Sequence, residues 1–594
     1  MRLYKQYKET SPEETVDRIR KILFDSGVKI KEVEQANSNN TFFAAHLHIC
    51  NAALLPYDLT TNGKGISPAY ALASAYGELM ERIQSGILFK QRSFLAKPFQ
   101  KGVGFSSQAN DLKSLKYYFA PDEEMVFGED YKTILDTYVR VFNIEEIKYI
   151  NDFEILLPYY NVMGKKINKL PQRILEHCCG SNGMCAGNTP HEAILQGLCE
   201  IFERFALRKL YEDNLTPPDI PLIYFKGYKV YDYIQRLIDT YGYEIKIKDC
   251  SVGMDLPVIG VLIIDRNSRR YDFHLGSDPV PNIALERVFT ELYQNANELK
   301  LKEIDFRLQS QLLYDKKKKE DERVYYSFQR NQMPISIFGN EPSYQSTWYN
   351  SESWGKSNES DLSLAVSLLK NNGYSMFVRD VSFLGFPSYI VYIPGMSELL
   401  NVESMRWFNA TFEKKDRITE IAHRLPSATD SEIEELLMLV SKFKEPDFLK
   451  FFNSGDVWNS GNPLFVMGVL ALVITDYELA IKYLSKAIEP DMESRLKRLY
   501  SLFLDYASIK NEASDYMSSL ALIYTEHELE LLDKCVNKGE WRNIFNLVSC
   551  FNCFECKLAS NCGYKAYSEL LVNREKIYEA NIINQYELIN IFEV

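Results

Sequence analysis

The sequence predicts an α+β fold over residues 1–410 followed by an all-α carboxy-terminal domain over residues 411–594. Two observations predict it. Short apolar runs with the two-residue alternation of strands recur among helical patterns up to about residue 410, and helical periodicity alone continues after about residue 412. At 594 residues the chain also exceeds one ordinary core, so several packed units are expected.

The first helix is expected over residues 13–27, where Val16, Ile19, Ile22 and Leu23 share a face and Gly27 supplies a stop. Phe42 to Ile49 alternates as a strand does. Further strands are expected at Glu244–Lys248, Val258–Ile264, Ser375–Val378 and Ser388–Ile393. Beyond residue 412, Leu464–Ile474 reads as a buried helix, too short for the roughly 20 apolar residues of a membrane span. Asp476–Ile488 looks like one helix of a tetratricopeptide unit, without three clean copies at a 34-residue period. A tetratricopeptide-like domain is expected there.

With 46% hydrophobic residues, 39 Tyr and 34 Phe, the chain has the apolar content of a folded protein rather than a disordered one. A formal charge of −13 argues against a whole-chain footprint for nucleic acid or anionic membrane. The basic run Lys316–Lys319 is followed at once by Glu320, Asp321 and Glu322 and reads as a solvated loop. The amino terminus lacks the apolar stretch of a secretory signal, so a cytoplasmic, reducing location is expected for the 11 cysteines.

Ser67 to Arg82 can be laid without gaps on Thr189 to Arg204, and both stretches end in Glu-x-x-Glu-Arg. Both open as helices should. A Ser or Thr supplies the cap oxygen, and Pro at the first helical position gives up only an amide that had no partner. At about 100° per residue, Ser74, Glu78, Glu81 and Arg82 share one face of the first helix. Glu192, Gln196, Glu200, Glu203 and Arg204 share one face of the second.

Carboxylates brought this close repel one another, so the repeated cluster implies a cation. Magnesium, a hard ion that usually joins a few carboxylates to substrate phosphates, is the natural candidate. Arg82, Arg204 and Lys64 would then meet phosphate oxygens. A third helix, Asn282 to Gln294, puts Glu291 and Gln294 one turn apart. Neither the Gly-x-x-x-x-Gly-Lys-Ser/Thr loop nor the protein-kinase set is present, so chemistry alone reaches a metal–phosphate site.

At these residues the sequence resembles the YcaO family of ATP-dependent amide-activating enzymes. The resemblance rests on three ordered stretches: Asn62–Gly65 leading to Ser74, Glu78 and Glu81–Arg82; Ser181–Thr189 running into Glu200 and Glu203–Arg204; and Ala284–Arg287 with Glu291 and Gln294. It implies a YcaO-type domain over residues 1–410, with mixed sheets and flanking helices. It further implies Lys8, Ser74, Glu78 and Arg204 at the nucleotide, and Glu81, Glu192, Glu200, Glu203, Glu291 and Gln294 at magnesium or its waters.

In the family, the γ-phosphoryl group of ATP passes to the oxygen of a peptide amide, and a nucleophile then adds to the amide carbon. Phosphoryl transfer needs positioning and charge neutralisation more than a protein nucleophile, which suits a site of Glu, Arg and Lys. The chain lacks the proline-rich tail of the azoline-forming branch and resembles the full-length founding bacterial member, an accessory factor in β-methylthiolation of a ribosomal-protein aspartate. The partners so implied are a peptide or protein substrate, a ribosomal protein or its methylthiotransferase, and a second copy of the chain. The alternatives are a thioamide- or azoline-forming enzyme of ribosomal peptide natural products and a nucleotide-switched, non-catalytic scaffold.

Cys550, Cys553, Cys556 and Cys562 can supply four thiolates to zinc or an iron–sulfur cluster, or pack a helical end as reduced thiols. Cys178, Cys179 and Cys185 are expected to be packing residues. His46 and His48 alternate on a strand with no third ligand nearby in sequence.

Overall fold

The structure is a computed structural model and describes residues 8–36, 41–51, 59–87, 122, 124–127, 153–293, 299–305, 333–345, 349, 353–399, 421, 425–441, 463–489, 492–512, 517–537, 539–541, 573–574 and 576–592. Gln294, the lysine run at 316–319 and the cysteines at 550–562 lie outside the described residues. Two compact units are present: one joins Met1–Arg92, Ser114–Trp407 and Ala566–Val594, the other Ser93–Lys113 and Phe408–Lys565. The chain thus returns to the first unit near its end.

The first unit opens with helix α1 (Pro12–Asp25), where the Ser11 hydroxyl accepts from the Glu14 amide at 3.2 Å and Val16, Ile19 and Leu23 form the buried stripe. Strands β1 (Ile30–Ala36), β2 (Phe43–Ile49) and β3 (Thr60–Gly65) form an antiparallel sheet in which His46 faces Asn62 and Ala44 faces Lys64. One face of this sheet carries helix α2 (Pro68–Ser85), whose amino end is capped by Ser67. Contact is close because Gly63 of β3 leaves no side chain between strand and helix. An added Cβ there would lie 2.1 Å from the Ala71 carbonyl oxygen and 2.2 Å from the Ala75 amide nitrogen.

The second sheet runs in the order β4 (Glu124–Phe127), β5 (Phe153–Asn161), β13 (Phe377–Asp380), β14 (Ser388–Tyr392), β7 (Met184–Ala186), with β6 (Lys166–Pro171) also paired to β5. Helix α3 (Gln172–Cys179) follows β6, and helix α4 (Pro190–Glu212) follows β7 and packs on it. Ile201, Phe202 and Phe205 of α4 share a core with Val378 and Val391. The Cys178, Cys179 and Cys185 thiols are buried in apolar packing, which pushes each up in pKa and leaves it a poor nucleophile.

The third sheet is ordered β12 (Lys302–Glu303), β11 (Arg270–Ser277), β10 (Val258–Asp265), β9 (Glu244–Asp249), β8 (Asp219–Ile220). Helices α5 (Lys229–Tyr241) and α6 (Pro281–Leu292) cover it, with Val288 and Phe289 against Ile259, Val261 and Ile263. Helix α7 (Asn358–Asn371) packs on α4. Mixed sheets were the expectation, yet every strand pair among the described residues is antiparallel. Even neighbours joined through a helix, β8 with β9 across α5 and β11 with β12 across α6, pair antiparallel, so no parallel βαβ unit forms among the described strands.

Arg379 of β13 is almost wholly buried. Its guanidinium donates to both oxygens of Asp122 at 2.9 and 2.7 Å, to the Pro158 carbonyl at 3.0 Å, and to the Tyr578 hydroxyl at 2.9 Å. The returning tail is therefore fastened to the sheet. Gln585 reinforces this by accepting from the Asp380 amide at 2.8 Å and donating to its carbonyl at 2.9 Å.

The described part of the second unit is helical: α8 (Asp430–Ser441), α9 (Pro463–Val473), α10 (Tyr477–Ala487), α11 (Ser494–Asn511), α12 (Met517–Ile523) and α13 (Glu526–Val536). Phe465 stacks on Tyr500 with ring centres 3.9 Å apart, in a core with Leu470, Leu484, Phe503 and Trp541. No helix among the described residues is long and apolar enough to cross a membrane.

Candidate functional site

Helices α2, α4 and α6 each begin with Pro and each lie against a strand, which fixes their polar faces toward one another. Between them is a cavity of about 360 Å³. Its walls include Lys8, Lys64, Ser74, Glu78, Glu81, Arg82, Glu192, Glu200, Glu203, Arg204 and Glu291. Every candidate named from sequence for nucleotide or magnesium is thus brought to one cavity, except Gln294, which is not among the described residues.

The charged groups are already engaged with one another. Arg82 reaches back to Glu78 at 3.5 Å and to Glu81 at 3.3 Å, while the Asn62 amide donates to Glu78 at 3.4 Å. Lys64, projecting from β3, meets Glu291 of α6. Glu192 ties down the segment before α1: it accepts from the Glu9 amide at 3.0 Å and from the Asn188 side chain at 3.3 Å, and it stands 3.5 Å from the Lys8 ammonium.

Burial controls the protonation of this cluster. It raises the carboxyls of Glu78 and Glu200 above their ordinary range and that of Glu81 well above it, against the pull of Arg82 on Glu78 and Glu81 and of Arg204 on Glu200. Removal from water likewise lowers the Lys64 ammonium to about 8, despite its meeting with Glu291. Between pH 8 and 10.5 the unfolded chain therefore holds a proton at Lys64 that the folded chain has released. Stability contributed at this position rises with pH across that window. Urea denaturation of the wild type and Lys64→Met should show the difference growing in favour of the wild type from pH 8 upward; parallel profiles would contradict the assignment.

Among the described residues, no three acidic, histidine or cysteine side chains converge as a ready-made metal site. The carboxylates instead face the cavity from three helices, with Glu192 partnered by Lys8, Glu291 by Lys64, and Glu78 and Glu81 by Arg82. Such a donor set nevertheless fits a divalent cation accompanied by phosphate. A cation would offset the buried acids, and phosphate oxygens would accept from Lys8, Lys64 and Arg82.

Further wall residues are ones to which the motif reading gave no role in the site. Arg287 of α6 donates to the side chain of Gln196 on α4 and lies 3.6 Å from Asp278. Gln196 belongs to the polar face counted on α4 and Arg287 to the third matching stretch, so both carried a sequence signal. Asn188, Ser277, Tyr70 and Phe386 also line the cavity. Phe386 sits in the loop between β13 and β14, where no periodicity marks it. Its ring lies 5.0 Å from the Arg18 guanidinium, which also donates to the Gly385 carbonyl at 2.8 Å.

Known proteins resemble the chain along much of its length. The chain is 24% identical over 555 residues to the ribosomal protein S12 methylthiotransferase accessory factor YcaO of Escherichia coli strain K12, covering 88% of this chain and 90% of that one. It is 24% identical over 418 residues to an uncharacterised protein of Haemophilus influenzae, covering 68% of this chain and 67% of that protein. Among solved structures, YcaO from Methanopyrus kandleri bound with AMPPCP and Mg2+ matches 66% of this chain and 92% of its own at 16% identity and a TM-score of 0.41. The model of the YcaO cyclodehydratase family, described as ATP- and Mg2+-binding, matches residues 62–397, which span all three acidic helices. On that match the chain belongs to the YcaO family.

Proposed function

We propose that the chain binds ATP with Mg2+ in this cavity and uses it to phosphorylate the oxygen of a peptide or protein amide. The observation that carries the reading is the meeting of six acidic and five basic side chains around one cavity, all but Lys8 from within the family match. Such a mixture suits a polyphosphate and its cation together better than either alone.

Lys8, Lys64, Ser74, Arg82 and Arg204 hold the nucleotide, and Glu78 fixes it through contacts ordered by the Asn62 amide. Glu81, Glu200, Glu203 and Glu291 face the magnesium or its waters, a role the family resemblance also gives Gln294. Glu192 acts through water, because both of its oxygens are already engaged by the segment that carries Lys8. When bound, magnesium would offset the negative charge that develops during transfer. The amide oxygen attacks the γ-phosphorus, ADP leaves with the bond electrons, and the phosphorylated amide is then open to an external nucleophile.

The match along most of both chains supports a role like that named for the E. coli relative, an accessory one in ribosomal protein S12 modification. The helical unit is then the surface for a protein partner. Calorimetry with MgATP tests the site: Glu78→Ala and Arg204→Ala are each expected to weaken binding by about ten- to a hundredfold. Wild-type affinity in both variants would overturn the reading.

A further inference from the structure

Arg574, in the tail that re-enters the first unit, lies against the end of α2. Its guanidinium donates from Nε to the Ile83 carbonyl at 3.0 Å and from Nη2 to the Gln84 carbonyl at 2.9 Å. These oxygens belong to the last turn of α2, where the Ile83 carbonyl also accepts from the Gly86 amide at 3.2 Å and Arg574 adds a second donor. A positive charge is also favourable there. The helix ends at Gly86, which adopts the left-handed conformation at φ 79°, and an added Cβ on it would stand 3.2 Å from Arg574. Arg574 thus fills the place where a longer helix would have continued.

The same turn is tied to the Phe386 loop. Gln84, buried, donates to the Phe386 carbonyl at 2.8 Å and to the Ser388 hydroxyl at 2.6 Å, and accepts from the Leu384 amide at 2.8 Å. Arg574 lies over the Phe383 ring at 5.1 Å, and that ring stacks on Tyr578 at 4.5 Å. One guanidinium therefore touches both the end of the helix that bears Glu78, Glu81 and Arg82 and the loop that gives the cavity its phenyl wall.

We infer that Arg574 is a positioning residue for the nucleotide site, holding the last turn of α2 and the Phe386 loop in the register that MgATP requires. Arg82 immediately precedes Ile83, so slack at the Ile83 carbonyl is felt first at the side chain that joins Glu78 and Glu81. The inference rests on the MgATP reading of the cavity.

The test uses full-length protein and MgATP calorimetry. Arg574→Met keeps an apolar stem on Phe383 and removes both donors, and is expected to weaken MgATP about tenfold. Arg574→Lys, which retains the charge and one donor direction, should recover most of that loss. Tyr578→Phe removes the bond to Arg379 from the same tail and is expected to lower thermal stability while leaving MgATP affinity unchanged. Wild-type affinity in Arg574→Met, or equal weakening in Arg574→Met and Tyr578→Phe, overturns the inference and leaves the site reading intact. Should Arg574→Met not fold, Arg574→Gln is measured in its place against the same two outcomes. Absence of MgATP binding in the wild-type chain overturns the site reading itself.

Discussion

Gly63→Ala is expected to destabilise the first unit by about 3 kcal/mol or more and to abolish MgATP binding. The added methyl would collide with the Ala71 carbonyl oxygen and the Ala75 amide nitrogen, both backbone atoms of α2. A flexible side chain could swing aside; a helix backbone cannot. Relief requires α2 to lift from β3, which breaks the bond from the Thr61 hydroxyl to the Ala75 carbonyl at 3.1 Å and draws Glu78 from the Asn62 amide. Thermal melting and calorimetry on the same sample would measure both effects. A variant that melts and binds as the wild type does would show that strand and helix are not in contact at Gly63.

Asp122→Ala should cost about 3–5 kcal/mol, because it strands a buried guanidinium rather than removing a surface charge. Arg379 is 1% exposed and Asp122 22%, so the arginine bears most of the penalty. The Pro158 carbonyl and the Tyr578 hydroxyl remain as acceptors, but neither carries charge. The double variant Asp122→Ala with Arg379→Met is expected to recover much of the loss, since it removes the buried charge together with its partner. Urea denaturation measures all three proteins. A loss below about 1 kcal/mol in the single variant, the range of an exposed pair, would show that the guanidinium finds water instead.

The helices that bear the site were legible because their signals are local. Ser67 and Thr189 cap, Pro68 and Pro190 start the first turn, and the spacing of Glu78, Glu81 and Arg82 states which face they share. Strands β2, β9, β10 and β14 were legible for the same reason, through alternation or apolar runs within a few residues. Within the Asn62–Gly65 stretch that leads into α2, the structure gives Gly63 the job of a point of close packing.

What was not legible depends on partners far apart in sequence. Arg574 reaches a carbonyl 491 positions away and Arg379 an aspartate 257 positions away, separations about which periodicity is silent. Phe386 owes its place in the wall to a loop held from three sides. Nor could a face count reveal that Glu192 is already occupied by the segment carrying Lys8, because that contact also closes across the chain.

The return of residues 566–594 to the first unit also sets an order of events on the ribosome. After Trp407 has been made, about 160 residues must be added before the tail can arrive, a delay of roughly 8–30 s at ordinary elongation rates. Throughout that interval the last turn of α2 waits without its guanidinium and Arg379 without the Tyr578 hydroxyl. The nascent chain can already display its acidic helices, yet its first unit is complete only after the second has been made.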